Sequence, residues 1–330
     1  MEVIMKFKYL SIVVVLISSI FVLSCETTKE DTKVKLALDW YPNANHTGLY
    51  IALEKGYFKD ENIDIEIYTP SDPSTVLQTV GAGQDDFGIS YQPDLILAKS
   101  KNIPVKSVLA FVQHPLNIIM TLKESNITRP SDLKGKKIAY PGIPLNENLL
   151  DTLLKADGLQ GKQEIELINT GYDLVPPLIG KTVDACLGCY LSHETIMAEN
   201  EGFPVNVMRM EQWGVPDYYE LVLVASDEMV ANNKDLVKRM TRAISKGYND
   251  AISDPEKGID NLIKATNEEI DEAIEYPGVE LLAPLWVDKS GKFGTQAENK
   301  WAVFSKWLYD TGQITSVPDV NDLFTNEFVE

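Results

Sequence analysis

The stretch Asp39-Trp40-Tyr41-Pro42-Asn43-Ala44-Asn45-His46 gathers groups that can hold a small molecule by its edges and its faces. Asp39, Asn43, Asn45 and His46 offer hydrogen-bond donors and acceptors, while Trp40 and Tyr41 offer flat apolar surfaces. Pro42 fixes a backbone angle and cannot donate to a strand ladder. An ordinary capped turn around one buried tryptophan would not need so many polar groups. Their density, with no lysine or arginine among them, marks a binding loop.

Other stretches carry similar chemistry. Ser90-Tyr91-Gln92 ends a short apolar run, and Trp213-Gly214-Val215-Pro216-Asp217-Tyr218-Tyr219-Glu220 sets aromatics beside carboxylates. Ser192-His193-Glu194 has the residue types of a catalytic relay. Consecutive helix residues point in different directions, however, so the trio reads as a helix start with Glu194 well placed in the first turn. A ligand contact from Glu194 is the alternative. The chain has only three histidines, His46, His114 and His193, so any triad or histidine metal cluster must use one of them. Dinucleotide-binding, phosphate-loop and nucleophile-elbow glycine motifs are all absent from the sequence. Neither a metal nor a cofactor is expected.

The elements that must position these groups alternate. Val34–Leu38 reads as a strand entering the loop, and Thr47–Gly56 as a helix leaving it. Strands at 63–68, 87–91 and 105–112 alternate with helices after Asp72-Pro73 and Gln92-Pro93, a parallel sheet covered by helices. At Gln113–Asn117 two apolar runs follow each other without a helix, so the chain leaves that sheet for another. Strands at 138–140, 165–168, 183–190 and 205–208, with helices between them, form the second unit. The run 221–225 closes it, and helices follow at 227–250, after Asp254-Pro255, at 268–275 and at 297–310.

The first residues precede this fold. Lys6 and Lys8, the mostly apolar stretch 9–23 and Ser24-Cys25 have the order of an export signal. Val22-Leu23-Ser24-Cys25 resembles a bacterial lipobox, which implies lipidation of Cys25. The expected organisation is a signal at 1–25 and a tether at 26–33, then lobe 1 from 34–113 and 226–330 and lobe 2 from 114–225. The net charge of −19 argues against nucleic acid and anionic membrane surfaces as partners. Cys186 and Cys189 close an apolar strand-like segment, where cysteine packs as a small buried hydrophobe. A disulfide or a redox or metal role is the alternative for that pair.

These stretches together resemble the thiamine-pyrimidine family of solute-binding proteins. Asp39 to Gly48 with Gly56-Tyr57-Phe58 matches the opening of that family. Asp132-Leu133-Lys134-Gly135-Lys136-Lys137-Ile138-Ala139-Tyr140, Asp173-Leu174-Val175-Pro176 with Val183-Asp184-Ala185, and Tyr218 to Val224 match further along. The resemblance is nearest to the ABC-transporter components that bind formylaminopyrimidine. It implies an α/β type II periplasmic-binding-protein fold, two α/β lobes with a ligand cleft between them. It also implies a monomeric carrier, not an enzyme, that delivers a thiamine-related pyrimidine to an ABC permease. The ligand would meet the faces of Trp40, Tyr91 and Tyr190, the carboxylate of Glu220, and Asn43, Asn45 and His46, with Tyr219 and Glu194 nearby. Fungal pyrimidine synthases share the opening loop, but they carry a cysteine-rich run where this chain has Val215-Pro216-Asp217-Tyr218-Tyr219. They also carry a reactive histidine where this chain has Asp94. Carriage of riboflavin or another heteroaromatic is a further alternative on the same fold.

Overall fold

A computed structural model describes residues 31–266 and 270–330 of the chain. The expected signal with Cys25 and most of the expected tether lie outside the described residues. Two five-stranded mixed sheets carry the fold. The first is built from β1 (Thr32–Ala37), β2 (Ile63–Tyr68), β3 (Phe87–Ser90), β4 (Val105–Val112) and β10 (Leu221–Ser226), in the order β2-β1-β3-β10-β4. The second is built from β5 (Asn117–Leu122), β6 (Lys137–Tyr140), β7 (Glu166–Asn169), β8 (Ala185–Tyr190) and β9 (Val205–Arg209), in the order β7-β6-β8-β5-β9. β1 already includes Thr32 and Lys33, which the sequence assigned to the tether.

The uninterrupted parallel sheet expected for the first unit is not what forms. β10 wedges between β3 and β4 and runs antiparallel to both. Residues 221–225, expected in lobe 2, therefore belong to the first sheet by their hydrogen bonds. The physical reason lies in their composition: Leu221-Val222-Leu223-Val224-Ala225 is apolar on both faces and fully buried, as only an interior strand can be. β5 plays the matching part in the second sheet, antiparallel to β8 and β9. Each sheet thus takes its antiparallel strand directly after the chain crosses from the other one. The crossings are short: 113–116 between β4 and β5, and 210–220 between β9 and β10. The second crossing precedes β10, whereas the sequence reading let 221–225 close lobe 2 and resumed lobe 1 at 226. Ser226 instead caps a helix, its hydroxyl accepting from Met229 N.

The helix expected over 227–250 is two helices, Asp227–Asn232 and Lys234–Ser253, because Asn233 leaves helical geometry at φ −123° and ψ 40°. The helix expected at 268–275 runs Glu272–Leu282. The helix Lys234–Ser253 lies very close to the helix Thr47–Glu54, since a Cβ on Gly247 would sit 2.0 Å from Gly48 O. That close approach lets the Tyr248 hydroxyl donate to Asn45 O at 2.6 Å and pin the binding loop from behind. Cys186 and Cys189 are disulfide-bonded as well as fully buried, which corrects the expectation of packing alone. A register shift opposite Ile118 and Ile119 brings Gly188 out of the β8 ladder between the two cysteines, at φ +91°. Only glycine adopts that conformation without strain.

Candidate functional site

Loops at the carboxyl ends of β1, β3, β6 and β8 and at the start of β5 converge on one cleft, where open α/β sheets present ligand groups. Asp39 lies two residues beyond β1, and its two oxygens face different partners. Oδ1 lies 3.0 Å from His46 Nε2, and Oδ2 accepts from the Tyr91 hydroxyl at 3.2 Å. His46 Nδ1 accepts the N–H of Asn43 at 3.2 Å, so Nε2 carries the proton and donates it toward Asp39. Asn43 Oδ1 in turn accepts from the backbone and the side-chain nitrogen of Asn45, both at 2.9 Å. The loop is therefore wired to itself before any ligand arrives.

Glu220 sits where the two crossings meet. Its Oε2 accepts from Leu116 N at 2.6 Å and Asn117 N at 3.1 Å, and its Oε1 from the Tyr190 hydroxyl at 3.1 Å. Glu220 is 1% exposed. Burial pushes it up to about 7 against the pull of these hydrogen bonds. Burial also pushes the Tyr91 and Tyr190 hydroxyls well above their ordinary range. The sequence reading offered the Glu220 carboxylate to the ligand. Its oxygens are instead engaged with the backbone that starts β5.

Two carboxylates and one imidazole form a second knot. Glu194 Oε2 accepts from Tyr190 N at 2.7 Å, and its Oε1 lies 2.9 Å from His193 Nδ1. His193 Nε2 lies 3.4 Å from Glu275 Oε1, and Glu275 Oε2 accepts from Ala44 N at 2.5 Å. Burial pulls the imidazole down, but the two glutamates outweigh it and raise it to about 10. His193 is a cation at neutral pH. The expectation that His193 and Glu194 point apart fails because His193 caps the helix Glu194–Asn200 from outside, with φ −141°.

Of the residues expected at the site, the structure brings Trp40, Asn43, Tyr91, Tyr190, Glu194 and Glu220 to the cleft wall. It does not bring Asn45, His46 or Tyr219 there. Asn45 and His46 are buried behind the wall and hold Asn43 and Asp39. Tyr219 turns into a wider cavity of about 620 Å³ beside the crossings. There its hydroxyl accepts from Ala297 N at 2.6 Å, and its ring lies 4.5 Å from Lys300 Nζ. Tyr219 and Glu220 both lie in the crossing before β10, and their side chains line different cavities. Asp94 lines a neighbouring small cavity, where burial and the charge of Glu220 raise it to about 7. The cleft also includes Asp39 and His193, which the sequence reading singled out without giving them a ligand contact, and Asn117, Asn146 and Gly188, to which it gave no site role. Asp39 had a signal, as the first residue after the strand read at Val34–Leu38. Asn117 and Asn146 had none.

Trp40 and Tyr41 both pack against Tyr172, with ring centroids 4.4 Å apart in each pair, and the Tyr172 hydroxyl donates to Pro70 O. With the lobes meeting here, the cleft keeps about 20 Å³ of free volume. That is about the room of one water and far below the ~300 Å³ of a small ligand pocket. A ring-sized molecule can enter only when the lobes part. Among the described residues no cluster of three or more histidine, cysteine, aspartate or glutamate side chains could hold a metal ion.

The NMT1/THI5-like family model matches residues 43–258, a span that includes the loop at Asn43, the disulfide, His193 and Glu220. The chain belongs to that family. It is 35% identical over 309 residues to the formylaminopyrimidine-binding protein of Halalkalibacterium halodurans, covering 91% of this chain and 93% of the relative. It is 28% identical over 319 residues to a 4-amino-5-hydroxymethyl-2-methylpyrimidine phosphate synthase of Saccharomyces cerevisiae, covering 90% and 88%. Its fold matches that of the periplasmic aliphatic sulphonate binding protein of Escherichia coli at a TM-score of 0.66 and 15% identity, over 90% and 94% of the two chains. The chain has the two-lobed periplasmic-binding-protein fold.

Proposed function

We propose that this chain is the solute-binding component of an ABC importer and carries a thiamine-related aminopyrimidine, formylaminopyrimidine or hydroxymethylpyrimidine, for thiamine salvage. The observation that carries the proposal is the cleft itself. Aromatic rings of Trp40, Tyr91 and Tyr190 and acceptors on Asp39, Glu194 and Glu220 line one closable space between the lobes. An aminopyrimidine is flat and pairs an amino donor with a basic ring nitrogen, so ring faces and fixed acceptors suit it. Binding would close the lobes around the ligand without covalent chemistry. Export, and anchoring through a lipid on Cys25, would hold the carrier beside its permease, and two or more acyl chains suffice for stable residence.

The higher identity to a binding protein than to a synthase supports a carrier. The synthase reading stays in play through the 28% likeness and is an outcome of the test. Mass spectrometry of small molecules retained by the purified protein should find an aminopyrimidine, and incubation should form no new pyrimidine. Retained riboflavin would move the ligand assignment to another heteroaromatic, and pyrimidine made by the protein would establish the enzyme. Fatty-acid labelling that survives Cys25→Ser would exclude the anchor.

A further inference from the structure

Two amides in the cleft are wired to each other and to nothing beyond. Asn117, the first residue of β5, donates from Nδ2 to Asn146 Oδ1 at 2.9 Å. Asn146 lies in the first turn of the helix Pro144–Ala156. Both residues line the cleft, with 5% and 2% of their surface exposed. Asn117 Oδ1 and Asn146 Nδ2 are buried without a hydrogen-bond partner. Folded proteins leave few such groups, because a buried polar atom without a partner is costly. Here an unmatched acceptor and an unmatched donor stand side by side. Turning both amides over exchanges the two roles and leaves the same inventory, one acceptor and one donor.

The surroundings hold the pair in place. Glu220 accepts the Asn117 backbone N–H at 3.1 Å, so the carboxylate at the crossing fixes where β5 begins. The Asn146 N–H donates to Ile143 O at 3.0 Å. Gly188 makes room for the second amide, since a Cβ there would lie 2.6 Å from Asn146 Nδ2. The positive φ of Gly188 and the absence of a side chain thus serve one purpose, an unobstructed amide at the cleft wall.

We propose that Asn117 and Asn146 together read one edge of the ligand, a ring nitrogen beside an exocyclic amino group. The amino group donates to the free amide oxygen, and the ring nitrogen accepts from the free amide N–H. The carboxylates of the wall offer acceptors, and this pair adds an amide donor beside an amide acceptor. It sets specificity for the amidine-like edge over rings without the amino group. The assignment rests on the aminopyrimidine reading of the cleft.

The test uses the mature chain and formylaminopyrimidine as probe, with an analogue bearing hydrogen in place of the ring amino group. Asn146→Asp keeps the acceptor for Asn117 Nδ2 but removes the free donor. It should lower affinity for formylaminopyrimidine roughly 10- to 100-fold, and the wild type should discriminate against the analogue by a similar factor. The double variant Asn117→Leu/Asn146→Leu removes both unmatched groups, so without ligand it should melt no lower than wild type while binding poorly. Equal affinities of wild type and Asn146→Asp would overturn the edge assignment and leave the carrier reading standing. A double variant that melts far below wild type would show that the pair holds the fold, which also overturns it. No binding of the probe by wild type would overturn both readings together.

Discussion

Replacing His193 with Gln tests the electrostatic knot that joins the β8 end to the binding loop. The imidazolium lies between Glu194 at 2.9 Å and Glu275 at 3.4 Å, with side-chain exposures of 17%, 8% and 3%. Glutamine can still donate to one of them, but two buried carboxylates then share no positive charge. A hydrogen bond to a charged group contributes about 1.5–3 kcal/mol. The Glu194 contact is short and the Glu275 contact long, so about 2–3 kcal/mol of stability should be lost at pH 6. The pH dependence separates this account from a simple loss of packing. His193 rises from its ordinary value of 6.5 to about 10 in the folded protein. Its contribution is therefore complete below about pH 6.5 and disappears as pH climbs through about 10. Urea unfolding followed by tryptophan fluorescence should show the gap between wild type and variant narrowing between pH 6 and pH 10. A gap below about 0.5 kcal/mol at pH 6, or one of equal size at both ends, would refute the reasoning.

Glu220→Gln should weaken aminopyrimidine binding roughly 10- to 100-fold by calorimetry, with Glu199→Gln as an unaffected control; equal affinities would remove Glu220 from recognition. Its thermal stability should change little at pH 7, because an amide oxygen can still accept from Leu116 N and Asn117 N and the buried acid is already raised to about 7. Gly188→Ala forces a side chain into φ +91° and against Asn146. It should cost about 1–3 kcal/mol in denaturant unfolding, and an unchanged midpoint would contradict the described bulge. Thiol titration of the unfolded chain should find Cys186 and Cys189 reactive only after reduction; free thiols without reductant would dismiss the disulfide. Scattering should give a smaller radius with ligand than without, since the described cleft has no room for entry, and identical profiles would count against lobe closure.

Much of this arrangement was legible in residue order because its signals are local. Alternating apolar runs marked the strands, Asp72 and Asp254 before prolines marked helix starts, and both asparagines and the aromatics marked the loop after β1. The place of β10 was not legible: its partners are Ser90 and Val112, more than a hundred residues away, and pairing over that distance leaves no local trace. The inward turn of His46 follows from its mutual cap with Asn43, which the sequence permits but does not compel. Glu194 and His193 could be judged only once His193 was known to precede the helix rather than lie in it. Asn117 and Asn146, 29 positions apart, become a pair only when β5 and the next helix meet at the cleft.

The central claim is that an aminopyrimidine binds in the cleft beside Trp40, and titration of the mature chain with formylaminopyrimidine tests it most directly. The account predicts saturable one-to-one binding in calorimetry, accompanied by a change in tryptophan fluorescence that Trp40→Leu abolishes. Heat and fluorescence that stay flat up to millimolar ligand, or a full signal retained in Trp40→Leu, would contradict it.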